Sequence, residues 1–331
     1  MRKGLSRAGE RGLANFIALP ILLLVALAGY AGDQASAERQ IPDAEPFRLS
    51  VDVALVVLPA SVTDRQGGFV SNLVEQDFAV YENGAPQQIR LFRNEDIPVT
   101  VGLVIDQSTS MRPKLAEVTA AARTFVRSSN RDDEMFVVNF NEKVWLGLPG
   151  ANRFTNNTAE LARAIATRPA GGQTALYDAI ARALQELQAG SRDKKVLIVV
   201  TDGGDNASAL RLSQVMKQAE QSSAVIYTIG VFDEDDPDQN PGVLRRLAKA
   251  TGGEAFLPKQ IGEVAPICER IARDIRHQYA IGYVPTNLTP DGSYRAIRVV
   301  ARAKGHDKLS VRTRTGYRPP AAPRPPQADL K

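Results

Sequence analysis

Two short, nearly unbroken apolar runs, Val99–Ile105 and Lys195–Val200, each lead into an acidic residue set among small polar ones. Apolar runs without alternation are the pattern of parallel strands covered on both faces, and that covering requires helices on either side. Helical periodicity supplies them at Lys114–Ser129, Ala159–Thr167, Ala175–Gln188, Leu212–Gln221, Val243–Ala250 and Ile261–Arg276. Further strands read at Met135–Phe140, Val225–Val231 and Glu254–Leu257, so strands alternate with helices. This alternation predicts an α/β fold with a doubly wound, mostly parallel sheet. Lys143–Leu148 follows its neighbour after a tight turn and is expected as one antiparallel edge strand.

The flanks are β-rich. Leu49, Val51, Val53, Leu55 and Val57 alternate with a mixed face, the period of a strand. Asp77–Glu82 and Gln87–Phe92 flank Asn83-Gly84, a hairpin signal because both turn residues tolerate positive φ. Beyond Gln278, Tyr294–Ala303 and Lys308–Thr315 alternate again, with Gly305-His306 as a turn between them. Residues 45–96 and 278–318 are therefore expected to form the two parts of a β-sandwich, with the α/β unit inserted between them. Residues 319–331 are rich in Pro and Ala and read as an extended, disordered tail.

Residues 1–37 carry the pattern of a Sec-type export signal: basic residues, an apolar stretch from Leu13 to Ala28, then Ala35-Ser36-Ala37. Asn15 and Pro20 interrupt an apolar stretch already shorter than the roughly 20 residues that span a bilayer. The expected location is periplasmic or secreted, with an uncleaved N-terminal anchor as the rival. The formal charge of +4 includes Arg2, Lys3, Arg7 and Arg11 against Glu10 and Asp33, so half of it belongs to this segment. What remains does not call for a nucleic-acid partner.

The chemistry gathers where the apolar strands end. In open α/β sheets, ligands sit beyond the carboxyl ends of the strands. Asp106-Gln107-Ser108-Thr109-Ser110 follows one such end, and Thr201-Asp202-Gly203-Gly204 follows another. Between them Gly171-Gly172-Gln173-Thr174 opens a helix, bringing the Thr174 hydroxyl to the same rim. Two carboxylates with the hydroxyls of Ser108, Ser110 and Thr174 suit one hard cation, Mg²⁺ or Mn²⁺ in its place. Two carboxylates leave such an ion undercompensated, so a water-filled position attracts an Asp or Glu from a protein partner.

These segments resemble the von Willebrand factor A domain, and more narrowly the exported bacterial VWFA-related proteins. Ile105–Met111, Gly172–Asp178 and Val200–Gly203 match the family's three metal-site segments, with all five ligand positions filled by Asp106, Ser108, Ser110, Thr174 and Asp202. The resemblance covers about residues 97–277 as the A domain, and Phe78–Glu82, Gln278–Pro285 and Gly316-Tyr317 resemble the β segments that flank it in the narrower group. It implies a metal-ion-dependent adhesion site: a module that binds a protein carboxylate through a cation, without enzymatic activity. Gln173 departs from the pattern as an extra residue between the glycines and Thr174, a displacement the loop has to absorb.

Other features read more plainly. Cys268 shares a helical stripe with Val264, Ile271 and Ile275 and is expected as a buried apolar filler. The acidic run Asp233–Asp238 lacks the Gly and distal Glu of a Ca²⁺ loop and reads as solvated. Asp178 and Asp205 are expected to orient the metal shell or cap helices. Arg298, Arg302, Arg312 and Arg314 alternate along their strands and read as the wet face of a sheet. His277 and His306 belong to no zinc motif, and neither a nucleophile elbow nor a phosphate loop is present. Two alternatives stand beside adhesion: a scaffold whose sandwich makes the contacts, and a metal-assisted hydrolase. Oligomeric state is left open.

Overall fold

The computed structural model describes residues 55–148, 150, 153–233 and 239–319. The expected export signal, the first part of the first strand, most of the acidic run and all of the Pro-rich tail but Pro319 lie outside the described residues.

The chain enters through β1 (Val56–Thr63), then β2 (Phe78–Glu82) and β3 (Ala85–Gln87). Asn83 and Gly84 turn between β2 and β3 at φ 48° and 85°, a two-residue connection with Glu82 opposite Ala85. The second arm of this hairpin does not continue as one strand. After Gln87 the chain crosses to the other sheet, where β4 (Ile89–Arg93) pairs with a C-terminal strand. The buried Gln87 side chain marks the crossing by bonding Thr286 across the gap.

The α/β domain follows. The central strand β5 (Val99–Asp106) is buried along its whole length and leads to α1 (Leu115–Ser128). Next come β6 (Glu134–Phe140), β7 (Val144–Leu146), α2 (Thr158–Ile165), α3 (Leu176–Leu187) and β8 (Lys194–Thr201). Then α4 (Leu212–Gln221), β9 (Val225–Gly230), α5 (Pro241–Thr251), β10 (Ala255–Phe256) and α6 (Val264–Arg276) complete the unit. Local signals set the helix ends. For α5, Asn240 caps the first turn, Pro241 opens it, and Gly252 closes it at φ 85°.

The sheet order is β10-β9-β8-β5-β6-β7, parallel except for the antiparallel edge strand β7. Alternate residues of the strands face opposite layers. Val101, Leu103 and Ile105 pack on α1, α2 and α6, while Val104, Leu197 and Val199 pack on α3, α4 and α5. This is the doubly wound arrangement expected from the alternating elements. Gly102 lets the second layer close tightly, because a Cβ there would lie 2.5 Å from both Leu197 and Phe136.

After α6 the chain returns through β11 (Tyr279–Tyr283), β12 (Arg295–Ala301), β13 (Ser310–Arg312) and β14 (Gly316–Tyr317). Two four-stranded sheets result, β13-β1-β11-β4 and β14-β12-β2-β3, and they share one core. Tyr279, Ile281 and Tyr283 of one sheet meet Phe78, Val80 and Val299 of the other. The residues of β1 that enter this core are Leu58, Ala60 and Val62, whereas Leu55 and Val57 are exposed. The apolar alternation through Leu55 and Val57 therefore marks the outer face. Apolar side chains occupy both parities here, and packing against β11 selects the even one.

The arginine pattern also divides. Arg298 and Arg302 are exposed, Arg298 lying over the Tyr81 ring at 4.4 Å. Arg314 is buried, donating to the Gly316 and Glu220 carbonyls at 2.9 and 2.7 Å. Arg312 donates to Asp274 and to the Gly252 carbonyl. The face expected to be wet is thus covered at this end by the α/β domain. Asp274 of α6 is the hub, accepting from Ser61 of β1 at 2.5 Å and Tyr227 of β9 at 2.7 Å as well. The Gln278 amide donates to the same two hydroxyls. Sandwich and α/β domain are joined by buried polar bonds that neither satisfies alone. Replacing Asp274 by Ala leaves the Ser61 and Tyr227 hydroxyls and one arm of Arg312 without their shared acceptor, Arg312 keeping the Gly252 carbonyl and Glu254, and is expected to destabilise the protein by about 1–3 kcal/mol. Equilibrium urea denaturation measures this, and a loss below about 1 kcal/mol contradicts the hub role.

Candidate metal centre

The centre is built at the carboxyl ends of two adjacent strands. Asp106 is the last residue of β5 and Asp202 immediately follows β8; neither carboxylate reaches solvent. Asp106 Oδ1 accepts from the Ser108 backbone N–H at 2.7 Å, and Oδ2 from the Thr201 hydroxyl at 2.6 Å. The first of these bonds bends the chain off the strand into an Asx-type turn. Ser108 then starts a single 3₁₀ turn, Thr109–Met111, whose buried Met111 anchors it. That turn delivers Ser110, whose Oγ donates to Asp202 Oδ1 at 2.9 Å and lies 3.3 Å from Ser108 Oγ.

The third segment is tied to the first by backbone bonds. Gly171 N–H donates to the Gln107 carbonyl at 2.8 Å, and Thr109 N–H to the Gly172 carbonyl at 3.2 Å. Gln107 is itself buried, its amide donating to Ile165 and Asn139. Gly172 sits at φ 86°, and the Gln173 N–H is taken by Glu142 at 3.1 Å. The loop absorbs the extra residue in this way. Thr174 remains beside Ser108 and Ser110 in one cleft, its N–H held by Asn206 at 2.8 Å. Its hydroxyl faces Gly203, where an added Cβ would lie 3.9 Å away.

All five sequence-derived residues thus come together: Ser108, Ser110 and Thr174 line the cleft, and Asp106 and Asp202 are bonded to its walls. Asp205 accepts from Tyr177 N–H at the start of α3, and Asp178 accepts from Ala209 and Leu210 N–H, so both fix the surrounding loops. Among the described residues no three His, Cys, Asp or Glu side chains converge as a metal cluster. Any ion here would be held by two carboxylates and neutral hydroxyls, a donor set that fits Mg²⁺ retaining some of its waters.

Two contributors were given no role from the sequence. Thr201 falls within the matched segment Val200–Gly203 but was given no role, and its hydroxyl is a partner of Asp106. Lys114 stands where the expected helix begins; it is buried, and its ammonium donates to Asp202 at 2.7 Å and Asp233 at 2.8 Å. Burial works against the Lys114 charge, but the hydrogen bonds and charges of Asp202 and Asp233 outweigh it and hold its pKa above the usual lysine value.

Burial, opposed by the Thr201 and Ser108 bonds and reinforced by the Asp202 charge, pushes Asp106 from the ordinary 3.8 up to about 6. Between those values the folded state binds more protons than the unfolded chain, so without metal stability falls as pH rises through the window. Asp106→Asn removes this dependence. In EDTA its stability relative to wild type is expected to rise by on the order of 3 kcal/mol from about pH 4 to about pH 7. Denaturation series at several pH values test it, and parallel profiles for the two proteins would contradict it.

Residues 100–265 match the family model described as von Willebrand factor type A domain. An uncharacterised Synechocystis protein is 29% identical over 163 residues, covering 47% of this chain and 37% of that one. Mouse inter-alpha-trypsin inhibitor heavy chain H2 is 28% identical over 175 residues, covering 49% and 18%. The chain therefore spans well under two thirds of the length of either relative. Among solved structures, a von Willebrand factor type A protein from Catenulispora acidiphila aligns at 15% identity and TM-score 0.49, covering 74% of each chain. The von Willebrand factor domain of the pilus tip protein Mfa5 from Porphyromonas gingivalis aligns at 16% identity and TM-score 0.44, covering 54% of this chain and 95% of that one. With half its length matched by the family model, the chain belongs to the von Willebrand factor type A domain family.

Proposed function

We propose that the cleft binds a divalent cation, Mg²⁺ or Mn²⁺, and through it a carboxylate of a protein partner. The observation that carries this reading is the pair of fully buried carboxylates, Asp106 and Asp202, bonded to hydroxyl-bearing walls of one open cleft. Buried negative charge of this kind calls for a cation. Domains of this family are commonly protein-interaction modules, which agrees with it. Asp106, Asp202, Ser108, Ser110 and Thr174 would hold the ion; the ion would supply an electrophilic position for an incoming Asp or Glu oxygen.

The role proposed for the site is binding. The two histidines stand apart from the cleft, His277 against Phe69 and His306 in the turn after β12. Neither is available there as a general base. The export pattern at the N-terminus supports a periplasmic or secreted setting. No helix of the described residues is long and apolar enough to cross a membrane.

The test is capture of protein partners from an extracytoplasmic fraction on the immobilised wild type and Asp106→Ala. Partner retained in Mg²⁺, released by EDTA and absent from Asp106→Ala is the expected result. Capture that persists in EDTA and in the variant contradicts the mechanism and moves the contact to the sandwich.

A further inference from the structure

Lys114 occupies an unusual position for a lysine. Its backbone is pinned on both sides: its N–H donates to Met111 of the 3₁₀ turn, and its carbonyl accepts from Val118 of α1. Its side chain is only 10% exposed, and the ammonium bridges Asp202, fully buried, and Asp233, whose side chain is 61% exposed. Asp233 follows β9, the neighbour of β8, and lines the same cleft as Ser108, Ser110 and Thr174. The ammonium therefore sits directly against the Asp202 and Asp233 carboxylates.

Its consequence is a matter of charge. Asp202 lies buried behind the cleft and Asp233 lines it, and the Lys114 ammonium bonds both carboxylates. Its positive charge offsets part of theirs, so an ion entering the cleft meets less negative charge than the carboxylates alone would present. Without the ammonium the site is more negative and favours an ion of higher charge, although water screens the Asp233 contribution. We propose that Lys114 is a specificity-determining residue, a fixed counter-cation that sets the valence the centre accepts. This rests on the cleft being a cation site, as proposed above. A lysine serving only as a strut between two loops would shift the affinity for every ion together. A counter-cation shifts the balance between valences, because the removed repulsion scales with the charge of the incoming ion.

The experiment uses the full chain and two probes, Tb³⁺ followed by its luminescence and Mn²⁺ as its competitor. Lys114→Met keeps the length and apolar stem of the side chain and is expected to raise the Tb³⁺-to-Mn²⁺ affinity ratio by about tenfold. Asp233→Asn, at an exposed position that leaves the fold alone, is expected to lower the same ratio. Ratios unchanged in both variants, with wild type binding either ion, overturn the counter-cation role alone. Wild type binding neither ion overturns the reading of the centre on which it rests.

Discussion

Two carboxylates lie side by side at the ends of adjacent parallel strands, and neither touches water. Moving each from water into the protein costs several kcal/mol unless hydrogen bonds and opposite charge offset it. Most of the local architecture can be understood as that offset. Thr201 and the Ser108 N–H satisfy Asp106, while Ser110 and Lys114 satisfy Asp202. The compensation is partial for Asp106, whose pKa stays elevated, and the residual demand for positive charge faces the cleft.

That demand is held in place by backbone rather than by long side chains. The Asp106 turn, the glycine loop and the Asn206 loop are stitched to one another through Gln107, Gly172 and Thr174. Glu142 and Asn141, following β6, clamp the glycine loop from the outside. Rigid donors of this kind lower the reorganisation needed when a ligand arrives. At the other end of the α/β domain, the Asp274 hub joins α6 to two strands of the sandwich, Ser61 of β1 and Arg312 of β13. Helix α6 also packs on α1, which follows the Ser108–Met111 turn through Lys114, so the sandwich is mechanically continuous with the segment that bears Lys114.

Much of this was legible in the sequence, for identifiable reasons. Unbroken apolar runs followed by acidic residues locate β5, β8 and the centre, because strand burial and motif are both local in the chain. The ends of α5 were less so: the expected helix ran Val243–Ala250, and the structure starts it at Pro241 behind the Asn240 cap and closes it at Gly252. What was hidden depends on distant neighbours. The aim of Lys114 is decided by Asp202 and Asp233, which only the parallel sheet brings together. Arg312 and Arg314 alternate like a solvated face, and a second domain covers them. The face of β1 that enters the core was open because Val53–Val62 carries apolar residues in both parities. Arg295, buried beside Glu82 and Tyr317, likewise gave no local sign.

The central claim is that this cleft holds a hard divalent cation on its hydroxyl and carboxylate oxygens. Crystals equilibrated with Mn²⁺ and measured for anomalous scattering test it most directly. A single anomalous peak about 2.2 Å from the Ser108 and Ser110 hydroxyls is the predicted result. A saturating soak that leaves no peak among Asp106, Ser108, Ser110, Thr174 and Asp202 would contradict it.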